Sequence, residues 1–378
     1  MTSSKRPRLR SVWTQIHLWL GVTLGVVGAF IGLSGSALVY DDTIDAWLNP
    51  QRYAISGAPA ELPLSEYAQR AQKALAPGAR ITAIRLPDQD EGPIAVLARN
   101  GDGTPPQRVY LDPPTGRVLD VSSGRDLLGW LHSFHESLTL REYNGREIVG
   151  ALGIAMLMSS LIGIYLWWPV GGLRRSAFGF RRGLASHRNL HYTSGIWGAL
   201  VLATLSFTGI FLAYPDAGRA AVGAIVSVSP PQRAVRSTSS GGYPIGPDEA
   251  GAIALNLYPR ARVTGVGFPA GPDGAYRISL RESGDTASRS GTVVFVDPRS
   301  KAILYRLDRA TRRGGDTFLL WDRILHEGGA FGGAGRFVNF LGGLLPTFLV
   351  VTGIIMWARK RNRQKISVPT PVGAGAKN

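Results

Sequence analysis

Four stretches of the chain are each long enough to cross a bilayer and contain no Asp, Glu, Lys or Arg: Leu18–Tyr40, Ile148–Leu173, Asn189–Pro215 and Phe337–Ala358. A helix needs about 20 largely apolar residues to traverse about 30 Å of hydrocarbon. Inside lipid every backbone polar group must be satisfied within the segment, so runs of this length dictate helical spans. Lys5, Arg6, Arg8 and Arg10 precede the first run, as in a secretory signal. That run is too long for a signal h-region and shows no small-x-small cleavage site, so it reads as an uncleaved span.

The net charge of +16 is concentrated beside these runs. Segments 1–17, 169–192 and 358–378 hold Lys and Arg but no Asp or Glu, whereas the two long outer segments are nearly neutral. This is the positive-inside pattern, and it puts both termini in the cytoplasm. The basic balance therefore reports topology and contact with membrane lipid; it does not point to nucleic acid. The resulting division is a basic tail (1–17), a span (18–40), an outer domain with a histidine segment (41–147) and a span (148–173). A basic loop (174–188), a span (189–215), a second outer domain with a histidine segment (216–336), a span (337–358) and a basic tail (359–378) complete it. With no cysteine in the chain, iron–sulfur clusters, thiolate zinc, covalently attached haem and disulfides are excluded.

The two halves repeat. His17 stands 18 residues before Gly35, which Ser34 precedes; His191 stands 18 residues before Gly209, which Thr208 precedes. Val109-Tyr110-Leu111-Asp112-Pro113 echoes Val294-Phe295-Val296-Asp297-Pro298. Trp130 lies five residues before His135-Glu136, and Trp321 five before His326-Glu327. Gly163-Ile164-Tyr165-Leu166-Trp167 matches Gly353-Ile354-Ile355-Met356-Trp357. Both copies begin inside, so they are parallel repeats about an axis along the membrane normal. Each outer domain reads as small α/β. The first has a helix at Ser65–Leu75 and strands at Ile81–Leu86, Ile94–Ala98, Val109–Leu111 and Arg117–Val121. The second has a helix at Asp248–Leu257 and strands at Val263–Phe268, Tyr276–Leu280, Thr292–Val296 and Ala302–Tyr305. Ser227–Gly242 reads as a mobile Ser/Pro/Gly loop. No nucleophile motif, Walker loop or dinucleotide fingerprint is present.

The absence of acids and bases from the spans argues against a proton-coupled carrier. What remains ionisable at the membrane edges is six histidines: His17, His187 and His191 inside, His132, His135 and His326 outside. The repeat pairs His17 with His191 and His135 with His326, while His132 falls opposite Arg323 and His187 opposite Trp13. Histidines three or four apart on one helix point the same way, so a flat ligand needs histidines from different helices. Imidazoles facing each other in an apolar, glycine-rich bundle suit six-coordinate haem. Without cysteine that haem is b-type. The expectation is two per chain, one between His17 and His191 and one between His135 and His326. His132 and His187 stay open as alternative ligands or relays. Gly21, Gly25, Gly28, Gly32, Gly35, Gly195, Gly198 and Gly209 either leave room for porphyrin or let helices approach closely. Asn144-Gly145 and the glycines of Gly328–Gly335 are where the chain can bend back to the membrane.

His17-Leu18-Trp19-Leu20-Gly21, Leu190-His191 ahead of Gly195-Ile196-Trp197-Gly198, and Trp321…His326-Glu327-Gly328 carry a resemblance. With the closing Leu344-Leu345-Pro346…Val351-Thr352-Gly353…Trp357, they make the chain similar to PepSY-associated transmembrane proteins. The resemblance covers nearly the whole chain. It implies an α-helical membrane protein with four spans in two pseudo-symmetric repeats and two periplasmic α/β PepSY-like domains. It places the family's recurring histidines on His17, His135, His191 and His326. Within the family the chain is most similar to dihaem ferrisiderophore reductases of the bacterial inner membrane, which implies ferric siderophore as the periplasmic electron acceptor. Oxygen donors hold hard Fe(III) far more tightly than Fe(II), so one electron releases the metal. Arg141, Glu142, Tyr143, Glu136, Glu327 and Arg323 are candidates for docking it. The cytoplasmic segments are too short for a flavin or nicotinamide domain, so the donor is a quinol or a separate cytoplasmic reductase. Rival expectations are the same haem wire with another acceptor, a non-redox PepSY-type binding or inhibitor protein, and a substrate carrier.

Overall fold

The computed structural model describes residues 6–57, 62–87, 92–101, 106–124, 126–168, 186–232, 235–238, 243–282 and 291–366. Most of the expected basic loop, at 169–185, and the ends of both basic tails lie outside these residues. The chain divides into two compact units. One comprises residues 1–39, 134–214 and 337–378; the other comprises 40–133 and 215–336.

The first unit is helical. It contains α1 (Arg6–Val22), α2 (Leu24–Leu38), α6 (Gly145–Trp167), α7 (Ser186–Ala213) and most of α11 (Gly332–Ile366). Among the described residues α6, α7 and α11 are long and apolar enough to cross a membrane. The first apolar run is not one straight helix: α1 and α2 meet at Thr23 with a 51° bend, and the span count is four if the pair crosses as one. At Thr23 the hydroxyl donates to the Trp19 carbonyl at 2.6 Å, competing with the helical ladder where the chain bends. Small residues set the spacing of these helices. Ser36 Oγ donates to the Phe340 carbonyl at 2.7 Å, and a Cβ on Gly32 or Gly343 would strike the other's backbone. Gly28 lies against Met156, Gly150 against Tyr214 and Gly198 against Leu345. For these glycines the close-approach role holds.

The histidine segment after residue 133 belongs to this helical unit, not to the outer domain as its sequence position suggested. α5 (Leu127–Ser137) runs into it, and the reversal towards α6 uses three non-glycine residues with left-handed backbone: Leu138, Thr139 and Asn144, at φ 53°, 61° and 55°. Asn144-Gly145 is thus only part of the bend. Gly145 allows the rest, since a Cβ there would strike the Ser137 and Leu140 carbonyls.

The second unit corrects the expectation of two separate outer sheets. Each copy supplies a helix and four antiparallel strands. The first copy gives α4 (Leu64–Ala74), β1 (Arg80–Arg85), β2 (Ile94–Arg99), β3 (Gln107–Leu111) and β4 (Val118–Ser122). The second gives α9 (Pro247–Leu257), β5 (Arg262–Gly267), β6 (Tyr276–Arg281), β7 (Thr292–Val296) and β8 (Ile303–Leu307). All eight strands form one sheet ordered β4-β3-β2-β1-β5-β6-β7-β8. The seam is the antiparallel pairing Ala83↔Gly267, Ile84↔Val266 and Arg85↔Gly265. Register irregularities recur at matching places: Ile81/Ala83 and Val263/Gly265, then Tyr110/Leu111 and Phe295/Val296.

Alternation along these strands turns Ile84, Val96, Val109, Val266, Ile278 and Val294 to one face, where all are buried. α4 closes that face in one half and α9 in the other, and Leu64 and Phe268 pack against both core clusters. Buried Asp112 and Asp297 close the turns after β3 and β7, accepting from Ser56 and Ser237 respectively. The 227–242 stretch is pinned rather than mobile at its described points. Ser229 Oγ donates to Asp316 at 2.5 Å and Ser237 Oγ to Asp297 at 2.6 Å. The unit also carries α3 (Asp41–Leu48), the first part of α5, α8 (Pro215–Gly223) and α10 (Gly314–Glu327).

Candidate functional site

Two of the six histidines meet inside the helical unit. His17 on α1 and His191 on α7 have ring centroids 6.4 Å apart and planes inclined at 78°. Two imidazoles bound to one iron from opposite sides are separated by two metal–nitrogen bonds of about 2 Å and two nitrogen-to-centroid distances of about 1.1 Å, about 6.2 Å in all. The observed 6.4 Å is close to that distance.

Hydrogen bonding decides which nitrogen is available. Thr352 Oγ1 donates to the Phe348 and Leu349 carbonyls at 2.9 and 3.1 Å. A hydroxyl has one proton, and with that proton on either carbonyl Thr352 Oγ1 accepts from His191 Nδ1, 2.9 Å away. A backbone hydrogen bond also joins His191 to Leu349. His191 therefore carries its proton on Nδ1 and presents an Nε2 lone pair. His17 Nδ1 lies 3.3 Å from Ser159 Oγ, and a backbone hydrogen bond joins this ring to Ser159 as well. The Ser159 carbonyl can only accept, so His17 takes the same tautomer. Neither Nε2 has a hydrogen-bond partner among the described residues.

His135 repeats the arrangement on α2. Its Nδ1 donates to the Ile31 carbonyl at 3.0 Å and lies 3.2 Å from Ser34 Oγ; Ser34 in turn donates to Ile31 at 2.8 Å. Each of the three rings rests on a glycine. The first atom a Cβ on Gly35 would meet is His135 Cε1 at 2.7 Å. On Gly163 it is His17 Cε1 at 3.3 Å, and on Gly353 it is His191 Cε1 at 3.5 Å. The three atoms nearest a Cβ on Gly35 all belong to His135, and within 4 Å Gly163 and Gly353 would meet no side chain but their histidine among the described residues. In each case the bonded carbonyl, of Ile31, Ser159 or Leu349, belongs to the residue four before the glycine.

His132 is held differently. Its Nδ1 donates to the Leu128 carbonyl of its own helix at 3.0 Å, and its Nε2 faces Asp41 Oδ2 at 3.7 Å. Both nitrogens thus face protein groups, unlike those of His17 and His191. His187 lies in the first turn of α7 and has no hydrogen bond among the described residues. His326 stands in the last turn of α10, which Gly328 ends in a left-handed conformation at φ 78°. One turn before it, Asp322 is buried with Oδ1 unpartnered among the described residues, and burial pushes its carboxyl up to about 7. The candidate docking charges neutralise one another: Arg141 lies 3.8 Å from Glu136 and Arg323 3.5 Å from Glu327, while Tyr143 is exposed.

The sequence did not single out the groups that orient the rings, Ser159 and Thr352. The signal available was a hydroxyl residue beside or one turn before a repeated glycine. A second polar cluster is structural. Buried Arg52 binds Asp45 at 2.6 Å, Asp120 at 2.7 Å and Asp126 at 3.1 Å while stacking on Tyr110. Among the described residues no group of three or more His, Cys, Asp or Glu could hold a metal ion; a haem bound by paired histidines needs only two. The His17–His191 spacing, the two Nε2 lone pairs and the glycine seats fit such a group.

No curated protein matches the chain. The family described as the PepSY-associated TM region matches residues 14–360. That match takes in α2, α6, α7, both halves of the sheet and every histidine, and the chain belongs to this family.

Proposed function

We propose that the chain is a dihaem b-type reductase of the bacterial inner membrane. It passes electrons from a quinol, or from a separate cytoplasmic reductase, to ferric siderophore in the periplasm. In this reading the bent α1–α2 pair completes four spans in two parallel repeats, both termini are cytoplasmic, and the sheet unit is periplasmic. His17 and His191 hold the inner haem; His135 and His326 hold the outer one. The observation that carries the reading is the His17–His191 pair, at 6.4 Å with Nδ1 of each ring committed to a hydroxyl and a carbonyl.

Haem supplies one-electron chemistry, and its potential is set by ligands, burial and the hydrogen bonds behind the ligands. The chain's own part is to orient two imidazoles from different helices and to keep their surroundings dry. Hydroxyl and carbonyl partners on Nδ1 fix the tautomer and make Nε2 a better donor. At the acceptor, one electron converts Fe(III) to Fe(II), and the oxygen ligands of the siderophore lose most of their hold on it.

Haem content tests the reading first. Protein purified from haem-replete cells is expected to be red, with a Soret band, low-spin six-coordinate spectra and two haems per chain. His17→Ala and His191→Ala should each remove one haem, and His135→Ala and His326→Ala the other. Dithionite-reduced protein should be reoxidised by ferric siderophore, with Fe(II) captured by a chelator. Colourless protein would instead support a non-redox PepSY-type binding protein. Red protein that siderophore cannot reoxidise would support another acceptor.

A further inference from the structure

Glycine inside a helix costs about 1 kcal/mol relative to alanine, so a glycine that spaces no neighbouring helix requires another explanation. Gly28, Gly32, Gly150, Gly198, Gly342 and Gly343 meet the facing helix and are explained by packing. Gly35, Gly163 and Gly353 are not. Among the described residues the side-chain atoms nearest a Cβ on each of them belong to one histidine ring: His135, His17 and His191. The three lie on three different helices, α2, α6 and α11; Gly163 and Gly353 are matching places of the repeat, and Gly35 adds the same coincidence of glycine, histidine and the carbonyl four residues earlier at a non-matching place.

We infer that Gly35, Gly163 and Gly353 are positioning residues for the histidines, acting as seats that let each imidazole lie flat enough on a neighbouring helix to reach its carbonyl with Nδ1–H. A methyl group would lift the ring off the helix, break the Nδ1 bond and turn Nε2 away. The inference rests on the haem-ligand reading of these histidines and adds the device that fixes their direction. The clearances differ, which makes the device quantitative. At 2.7 Å a methyl on Gly35 collides with His135; at 3.3 Å one on Gly163 presses on His17; at 3.5 Å one on Gly353 only touches His191. Gly246, at the start of α9 in the sheet unit, gives an internal control, because its φ of −85° suits any residue and a Cβ there meets nothing within 4 Å.

The test is the series Gly35→Ala, Gly163→Ala, Gly353→Ala and Gly246→Ala in the full chain, read by haem stoichiometry, the fraction of low-spin haem and the electron paramagnetic resonance g-values. Gly35→Ala should convert about half of the haem to high-spin or lose it. Gly163→Ala should keep both haems but shift the g-values of one, Gly353→Ala should shift them least of the three, and Gly246→Ala should match the parent. A low-spin spectrum retained in full by Gly35→Ala would overturn the inference, as would equal damage from Gly246→Ala. A parent protein that binds no haem would instead overturn the ligand reading itself, and the two failures are told apart by the parent spectrum. Isotope-edited nuclear magnetic resonance of the histidine rings in apoprotein separates positioning from loss of fold. Gly35→Ala should abolish the Nδ1–H signature of His135 while leaving those of His17 and His191 in place.

Discussion

At the scale of single residues, the division of labour around each imidazole is the informative feature. In His17 and His191 one nitrogen is tied down and the other is left with a lone pair. The sequence repeat singles out four histidines by their fixed spacing from glycine or tryptophan, and the structure brings two of them, His17 and His191, together. Their orienting groups were not legible there, since Ser159 and Thr352 do not occupy matching places in the two halves: Ser159 lies four residues before its glycine and Thr352 one. A different residue, Asp322, stands out by its cost. A buried carboxylate oxygen without a partner is expensive, and the repeat puts Leu131 at the corresponding place in the other half. Its folded-state pKa is raised from 3.8 to about 7, so between those values the folded chain holds a proton that the unfolded chain has lost. Stability contributed by that proton is therefore full at low pH and disappears as pH rises towards 7. Asp322→Asn is expected to flatten this dependence and to gain on the order of 1–3 kcal/mol at pH 8. Thermal unfolding of both proteins in micelles at pH 5.5 and pH 8 measures it, and parallel curves at the two pH values would refute it.

At the scale of elements, periodicity read most of the molecule. The sequence places a helix at Ser65–Leu75 and the structure has α4 at Leu64–Ala74; the expected strand Thr292–Val296 is β7 without change. What periodicity could not show was a break in an unbroken apolar run. The first span bends at Thr23, whose hydroxyl bonds the Trp19 carbonyl, and hydropathy is blind to that. The same applies to the start of the reversal after α5, since Asn144-Gly145 announces only its far end. Leu138 and Thr139 adopt the left-handed conformation in succession, at a cost of about 1–2 kcal/mol each. Thr139→Gly should relieve that strain and raise stability by about 1 kcal/mol, after allowing for the greater entropy of glycine in the unfolded chain. An unchanged or lowered melting temperature would show that the surrounding contacts, not the backbone, hold this turn.

At the scale of the whole molecule, the repeat is legible in sequence but its consequence for topology is not. Nothing in either half announces that β1 will pair with β5, because the seam residues Ala83, Ile84, Gly265 and Val266 resemble those of any interior strand. The pairing is visible only when both edges are brought together. It makes β1 and β5 the most central strands, so their amides should exchange with solvent as slowly as those of β2 and β6, and more slowly than those of β4 and β8. Hydrogen exchange followed by mass spectrometry resolves these segments, and rapid exchange at 83–85 and 265–267 would contradict a continuous sheet. Ile84→Ala, which empties a fully buried site on the seam, should cost about 2–5 kcal/mol and raise exchange in both halves together.

A chain carrying only the first copy would present β1 as a raw edge, with its amides and carbonyls facing outward and no charged guard at Ala83 and Ile84. Since β1 and β5 run antiparallel, two such half-length chains could satisfy one another by pairing β1 with β1 about a two-fold axis. The seam inside this protein thus has the form of a homodimer interface whose partners have been joined end to end.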